Sequence, residues 1–381
     1  MFKTAQDVLI LGDPHLSGET LWQLEVGNRL VDWAKTYPGF GPQSEVLILG
    51  DLVDTYASSP QTTTLVTAFI AALHSRIKRL VILVGNHDIE KDERRATGQH
   101  VAYEYLQVFF PSIEIIEHPR EFQLGSLSCV ALPFYGAPEH SLLELQREEG
   151  KPSPLIKYGI DPAKSYDFIA AHHFLRSAAK RSRIPEELSV DVEALFDAPQ
   201  GKVIAGHIHT ANSSPDEYTG SLYPLKIDEK GLRYIFAFTN GEWVREPMTT
   251  ICDLLSVKLG DTLPKPVKDI LPVYTITHCS SVEVARSEYG SDILIRKTVS
   301  SWDNIRKGQG FSDLGSNEHG LDGLTKRSIL DRFKVILLDE EQDWVKFDAT
   351  RDILEEALAL IESAMTYGED PDASNDEILL Q

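Results

Sequence analysis

Cysteine is scarce in this chain: Cys129, Cys252 and Cys279 are the only three in 381 residues, and none pairs with another in a C-x-x-C spacing. Their odd number and wide separation exclude a disulfide framework and a thiolate zinc site, and fit free thiols in a reducing compartment. Long hydrophobic runs are also missing. No apolar stretch reaches the ~18 to 20 residues that cross a bilayer, so no membrane role is expected. The first residues, MFKTAQDVLILGD, enter a strand-like run with no apolar signal region or small-residue cleavage site, which points to the cytoplasm. Positive charge is short as well, with 37 Lys+Arg against 58 Asp+Glu for a net charge of -21. A nucleic-acid binder usually advertises a basic surface that releases counterions from phosphate. Two facts soften that objection. Carboxylates that hold cations count as negative in a bare tally, and the last residues, GEDPDASNDEILLQ, form an acidic tail.

What the chain does have is a set of five short β-rich runs: VLILG (8–12), VLILG (46–50), LVILVG (80–85), DFIAA (167–171) and KVIAG (202–206). Each stops just before Asp, Asn or His. Continuous rather than alternating Val/Ile/Leu reads as strand buried on both faces, and polar groups at the carboxyl ends of such strands converge on one crevice. Helical stripes lie between the first three runs, Trp22, Val26, Leu30 and Trp33 in one and Val66, Phe69, Ile70, Leu73 and Ile77 in the next. These are core faces. Shorter strands are expected near 114–134 and at 232–238, so an α/β catalytic domain over 1–245 is predicted. A smaller α+β cap over 246–345 follows, then an amphipathic helix over 346–367 and the acidic tail over 368–381.

Taken alone, Asp13-Pro14-His15 is a weak signal, because D-x-H triplets arise by chance and Asp after a strand is usually a turn residue. Followed by Gly50-Asp51, Gly85-Asn86-His87-Asp88, His172-His173 and Gly206-His207-Ile208-His209, it becomes a set in which every member ends a buried strand. Carboxylate and amide oxygens with imidazole nitrogens, and no thiolate, suit hard-to-borderline divalent cations. Two ions are expected, because one carboxylate can bridge a pair about 3.5–4 Å apart. Mn2+ is the expected metal, with Mg2+ and Fe2+ next. His74, His100, His118, His140, His278 and His319 have no such neighbours and read as surface or packing residues.

This order of motifs resembles the calcineurin-like metallophosphoesterases over residues 8–235. The resemblance implies a layered αββα sandwich. It also implies that Asp13, His15, Asp51 and His209 hold one metal, and that Asp51, Asn86, His172 and His207 hold the other, with Asp51 as the bridge. His87 is similar to the family's non-ligand histidine that protonates the leaving oxygen or stabilises developing charge, and Asp88 would orient its ring. His172 and His173 point to opposite sides of a strand end, so one of them faces the metals. We take His172, and His173 as structural. Asp54, in GDLVD, sits where some nucleases of the family carry a substrate-side residue. A turn or a supporting carboxylate is the other reading.

Within the family, protein phosphatases carry GDxxDRG and GNHE, whereas this chain has GDLVDTY and GNHD. Residues Tyr218-Thr219-Gly220-Ser221-Leu222-Tyr223-Pro224-Leu225 and Asp228-Glu229-Lys230-Gly231 look like the Gly-Ser segment of SbcD-type nuclease subunits of double-strand-break repair complexes, bacteriophage recombination nucleases included. A plain turn leading into a hairpin is the alternative. The resemblance implies DNA as substrate, an SbcC-type coiled-coil ATPase as partner, a homodimer as a candidate assembly, and the cytoplasm, the host's if the chain is phage-encoded. Leu354, Leu358, Ile361 and Met365 have the spacing of a helix laid in a partner's groove, or of one packed on its own cap. Arg296, Lys297, Arg306 and Lys307, with Trp302 among them, form a candidate DNA contact. A small-molecule phosphodiesterase or phosphatase of the same superfamily is the competing function.

Overall fold

The computed structural model describes residues 6–89, 101–134, 145–148, 150–178, 189–211, 217–227, 229 and 231–299. The three leading apolar runs form β1 (Val8–Leu11), β2 (Glu45–Ile48) and β3 (Arg79–Leu83), paired in parallel. Between them lie α1 (Leu21–Thr36) and α2 (Pro60–His74). Local chemistry starts both helices. The Thr20 side chain accepts from Gln23 N–H and the Ser59 side chain from Thr62 N–H, while Pro60 occupies the first helical position, where no N–H is needed.

β4 (Ile113–Ile116) adds in parallel to β3, and β9 (Tyr234–Thr239) with β10 (Glu242–Pro247) adds antiparallel beside β1, giving a six-stranded sheet in the order β10-β9-β1-β2-β3-β4. Its last strand crosses the boundary expected at 245. β5 (Arg120–Leu124), β6 (Leu127–Leu132), β7 (Phe168–Ala171) and β8 (Lys202–Ala205) make a second sheet, in chain order.

Side-chain alternation divides the interior into layers. Val8, Ile10, Leu47, Leu49, Val81 and Leu83 meet Phe122, Cys129, Ala131, Phe168, Ala170 and Ile204 between the sheets. Leu9, Leu11, Val46, Ile48 and Ile82 face the other way, onto Val26, Leu30, Val66, Phe69 and Ile70 of the helices. Val130, Leu132, Ile169 and Ala171 cover the outer face of the second sheet together with Leu155, Tyr166 and Leu195. This is the layered α/β sandwich that the resemblance implies. Each buried aliphatic or Phe side chain contributes about 1.5–3 kcal/mol. Rim ion pairs such as Lys164–Glu121 contribute about 0–1 kcal/mol. The layers therefore hold the fold.

Beyond Pro247, β11 (Cys252–Lys258), β12 (Leu271–Thr277) and β13 (Ile295–Val299) form a separate parallel sheet, with α3 (Val282–Tyr289) as the crossover between β12 and β13. Cys252, Leu254, Leu271 and Val273 join the core cluster of α1 and α2, while Val257, Tyr274, Ile276 and Ala285 make a small cluster of their own. The amphipathic helix over 346–367, the acidic tail, Trp302, Arg306 and Lys307 lie outside the described residues. No helix among the described residues is long and apolar enough to cross a membrane.

Candidate metal centre

The strands of both sheets that carry the motifs end at one place. After β1 and β2 the chain keeps its parallel pairing into the loops: His15 N–H donates to Asp51 O at 2.8 Å, Leu16 N–H to Leu52 O at 2.9 Å, and Asp54 N–H to Leu16 O at 3.2 Å. Three site residues, His15 (φ 44°), Asp51 (φ 48°) and His207 (φ 76°), sit in the left-handed region. Non-glycine residues are held there only when the surroundings over-determine them, and such positions cluster at functional sites. The glycines in the motifs have a matching cause. A Cβ on Gly85 would lie 2.2 Å from Asp51 Oδ1, and one on Gly206 would lie 2.4 Å from Asp13 Oδ1. Each carboxylate therefore occupies the space a side chain would take.

Two groups of donor atoms share Asp51, each with its atoms within 4.8 Å of one another: Asp13, His15, Asp51 and His209 in one, Asp51, His172 and His207 in the other; His15, Asp54 and His87 form a third such group beside the first. Asn86 joins the second, its Oδ1 lying 3.1 Å from His172 Nε2 and 2.7 Å from His207 Nδ1. Asp51 belongs to both. Its Oδ1 accepts His87 N–H at 2.8 Å, while Oδ2 lies 3.5 Å from His15 Nε2 and 3.2 Å from His172 Nε2.

The donor chemistry fits cations on two observations. First, Asp13 Oδ1 and His15 Nε2 are buried without a hydrogen-bond partner. Such orphans cost about 1–3 kcal/mol each unless something satisfies them. Second, His172 Nδ1 lies 2.6 Å from Leu49 O and so must carry the proton of a neutral ring. Its Nε2 is then an acceptor facing two other acceptors, Asp51 Oδ2 and Asn86 Oδ1. A positive charge belongs among them. Burial alone would lower the His172 imidazole, but the Asp51 carboxylate outweighs it and pushes the ring up to about 9. A second proton on His172 thus competes with a divalent cation for the same place.

Burial pushes the Asp13 carboxyl up to about 7, with the Asp51 charge adding to the effect against the opposing His172. Asp51 goes the other way. Burial opposes its ionisation, yet His172, His15 and His87 hold it well below the usual carboxylate range. His173 is turned out of the cluster: its Nε2 lies 3.0 Å from Pro133 O, and its ring stacks on Phe134 at 5.7 Å between centroids. Burial lowers it to about 3, a neutral packed imidazole.

His87 groups with His15 and Asp54, its ring edge-on to His15 at 4.9 Å. Its Nδ1 lies 2.5 Å from Asp54 O, so Nδ1 carries a proton and Nε2 is the position left to exchange one. Here the expectation for Asp88 needs correction. Its carboxylate does not orient the His87 ring. It is taken up by Gly85 N–H at 2.8 Å, Val53 N–H at 3.2 Å and Tyr103 O–H at 3.0 Å, which tie the loops after β2 and β3 together from below. The orienting group is the Asp54 backbone carbonyl, which a sequence pattern cannot reveal. The Asp54 carboxylate is half-buried, 3.5 Å from His15 Nδ1, and accepts from Gln23 Nε2 at 3.3 Å. Arg296 and Lys297 lie on β13, the first half-buried and the second exposed.

One residue at the centre had no role assigned from sequence. Glu229 lies with Oε1 2.9 Å from His209 Nδ1. Its only sequence signal is membership of the Asp228–Gly231 stretch. Burial would raise its carboxyl, but His209 and the Leu225 and Lys226 N–H groups hold it below its ordinary value. His209 is raised in turn, since Glu229 outweighs burial. The Gly-Ser segment leads into the antiparallel β9–β10 hairpin, and it also reaches back to the centre. Ser221 N–H donates to His209 O at 3.1 Å, and Tyr223 O–H to His15 O at 2.7 Å, so the segment is a brace under the first group.

No match is found among curated proteins. Among solved structures, the crystal structure of phosphopantetheinyl hydrolase (PptH) from Mycobacterium tuberculosis is similar at 14% sequence identity, over 64% of this chain and 89% of that one, with a TM-score of 0.29. At that score the likeness carries no argument. The family comparison does: residues 7–211, more than half of the chain, match the calcineurin-like phosphoesterase model and span every residue of both donor groups, while Glu229 lies beyond them. With its donor groups gathered at the strand ends of a two-sheet sandwich, the chain belongs to the calcineurin-like phosphoesterases, metal-dependent hydrolases of phosphoesters.

Proposed function

We propose that this hydrolase is a two-cation phosphodiesterase acting on DNA in recombination or repair, as the nuclease subunit of a complex with an SbcC-type coiled-coil ATPase. The observation that carries the two-cation part is the sharing of Asp51 by two compact donor groups. Asp13, His15, Asp51 and His209 hold one cation, and Asp51, Asn86, His172 and His207 the other. Mn2+ is the expected metal. When bound, such a pair polarises the phosphoryl oxygens and activates water for in-line displacement.

The protein's own groups do the rest. The left-handed backbone at His15, Asp51 and His207 fixes the donors before any ligand arrives. The Asp54 carbonyl holds the Nδ1 proton of His87, so that Nε2 is the position that takes up a proton and, from the imidazolium, gives it to the leaving oxygen while the ring returns to its neutral form. Phe174 packs edge-on against His207 at 4.2 Å and steadies that ring.

The choice of DNA rests on the likeness of residues 218–231 to the SbcD-type segment, with Arg296 and Lys297 as candidate backbone contacts. The net charge of -21 favours a second reading, a small-molecule phosphodiesterase or phosphatase. Incubation of the full chain with Mn2+ and linear DNA, with and without the ATPase, separates the two. We expect cleavage that chelation abolishes. Turnover of cyclic or nucleotide phosphodiesters with intact DNA in both arms would replace the nuclease reading.

A further inference from the structure

Glu229, from the Asp228–Gly231 stretch, reaches the centre, and its contacts are directional. Glu229 Oε1 lies 2.9 Å from His209 Nδ1, while Oε2 accepts Leu225 N–H at 2.7 Å and Lys226 N–H at 3.2 Å. The backbone of Glu229 is held as well, its carbonyl accepting from Arg233 Nη2 at 3.0 Å. Arg233 also donates to Gly231 O at 3.0 Å and to Ser221 Oγ at 3.4 Å. From the other side, Ser221 N–H holds His209 O at 3.1 Å. His209 is therefore gripped at its backbone by Ser221 and at its ring by Glu229, with Arg233 joining the two grips.

A carboxylate can only accept, so the proton of a neutral His209 must sit on Nδ1. The lone pair is then on Nε2. The ring cannot turn over without breaking the bond to Glu229. Metal-bound imidazoles work in this way, with a carboxylate on the distal nitrogen fixing tautomer and orientation and strengthening the donor. The pair is partly buried, His209 and Glu229 being 19% and 12% exposed, so water does not readily replace either partner.

We infer that Glu229 is a positioning residue for the first cation: through His209 it sets the affinity of that one site, and the 218–233 segment is the brace that carries it. This rests on the two-cation reading above. It does not depend on the substrate being DNA.

The test is a Mn2+ titration of the full-length protein, read by the EPR signal of free Mn2+, for wild type, Glu229→Gln and Glu229→Ala, with thermal unfolding of each metal-free protein alongside. Glu229→Ala should weaken one of the two Mn2+ equivalents by about 10–100-fold and leave the other unchanged. Glu229→Gln keeps an acceptor oxygen for Nδ1–H while losing the charge, so its loss should fall between wild type and Glu229→Ala. That graded loss confined to one equivalent is what a merely structural role would not produce. Unchanged binding of both equivalents in both variants overturns the inference and leaves the two-cation reading standing. Equal weakening of both equivalents with a lowered unfolding temperature also overturns it, since the residue would then serve the fold. A wild-type protein that binds no Mn2+ overturns the inference and the two-cation reading together.

Discussion

The two donor groups share Asp51 and differ in what stands behind their imidazoles. In the first, His209 donates to the Glu229 carboxylate at 2.9 Å, and His15 Nδ1 faces the Asp54 carboxylate at 3.5 Å. In the second, His172 is held by the Leu49 carbonyl at 2.6 Å, and the oxygen donor beside the bridge is the neutral amide of Asn86. The first group also has Asp13, so it gathers far more negative charge. A carboxylate about 4 Å from a unit positive charge is worth about 4 kcal/mol at an effective dielectric near 20. That exceeds any difference expected between imidazole geometries. The first pocket should hold its cation more tightly, and the second should be the one that loads last.

The largest test of this contrast removes what the pockets have in common. Asp51→Ala should release both cations and lower turnover by more than about 10³-fold, checked by elemental analysis beside a phosphodiester assay. Retention of either metal would contradict the shared carboxylate. His87→Ala should keep both metals while turnover falls by about 10²–10⁴-fold. Metal loss in that variant would move His87 into the donor set. His172→Ala sharpens the contrast by emptying only the second pocket, so a Mn2+ titration should retain the tighter equivalent. Its neighbour is the control: His173→Ala should keep both equivalents and lower stability by about 1–3 kcal/mol, the cost of leaving the buried Pro133 carbonyl unpaired.

The smallest effect belongs to the opposite end of the sandwich. Glu45 begins β2, away from Asp51, and accepts from Lys78 at 2.9 Å, Arg79 at 3.2 Å and Gly125 N–H at 2.9 Å. Burial alone would raise its carboxyl, but these partners hold it below its ordinary value of 4.5. A depressed carboxylate contributes stability that is fully present above its unfolded value and is lost as pH falls through the folded one. Glu45→Gln should therefore cost about 1 kcal/mol at neutral pH and nothing in strong acid, read from denaturant midpoints across pH. A cost independent of pH would show that packing, not charge, is what Glu45 supplies.

The sequence was most legible where burial is most complete. β1, β2, β3 and β7 are almost wholly buried and β8 is buried over its second half, so apolar residues run unbroken up to each strand end, where a donor follows. The same coverage explains the opposite directions of His172 and His173. β10, with the sequence EWVREP, is half-exposed at a sheet edge and carries no such run, so no local pattern marks it. The parallel order of β11, β12 and β13 depends on crossover connections that no local pattern records. Within the centre, side chains could be read and backbone groups could not. The Asp54 carbonyl that holds His87 and the Leu49 carbonyl that holds His172 depend only on where the chain runs, and any residue could supply them. The resemblance implies Asp88 behind the His87 ring, but the turn aims its carboxylate at Gly85 and Val53 instead.

The central claim is that two cations sit side by side on one carboxylate. EPR of the protein loaded with two equivalents of Mn2+ tests it most directly. A pair about 3.5–4 Å apart should give an exchange-coupled spectrum that collapses to an isolated-ion signal or to free Mn2+ in Asp51→Ala. Two equivalents bound with only uncoupled, mononuclear signals would contradict the account.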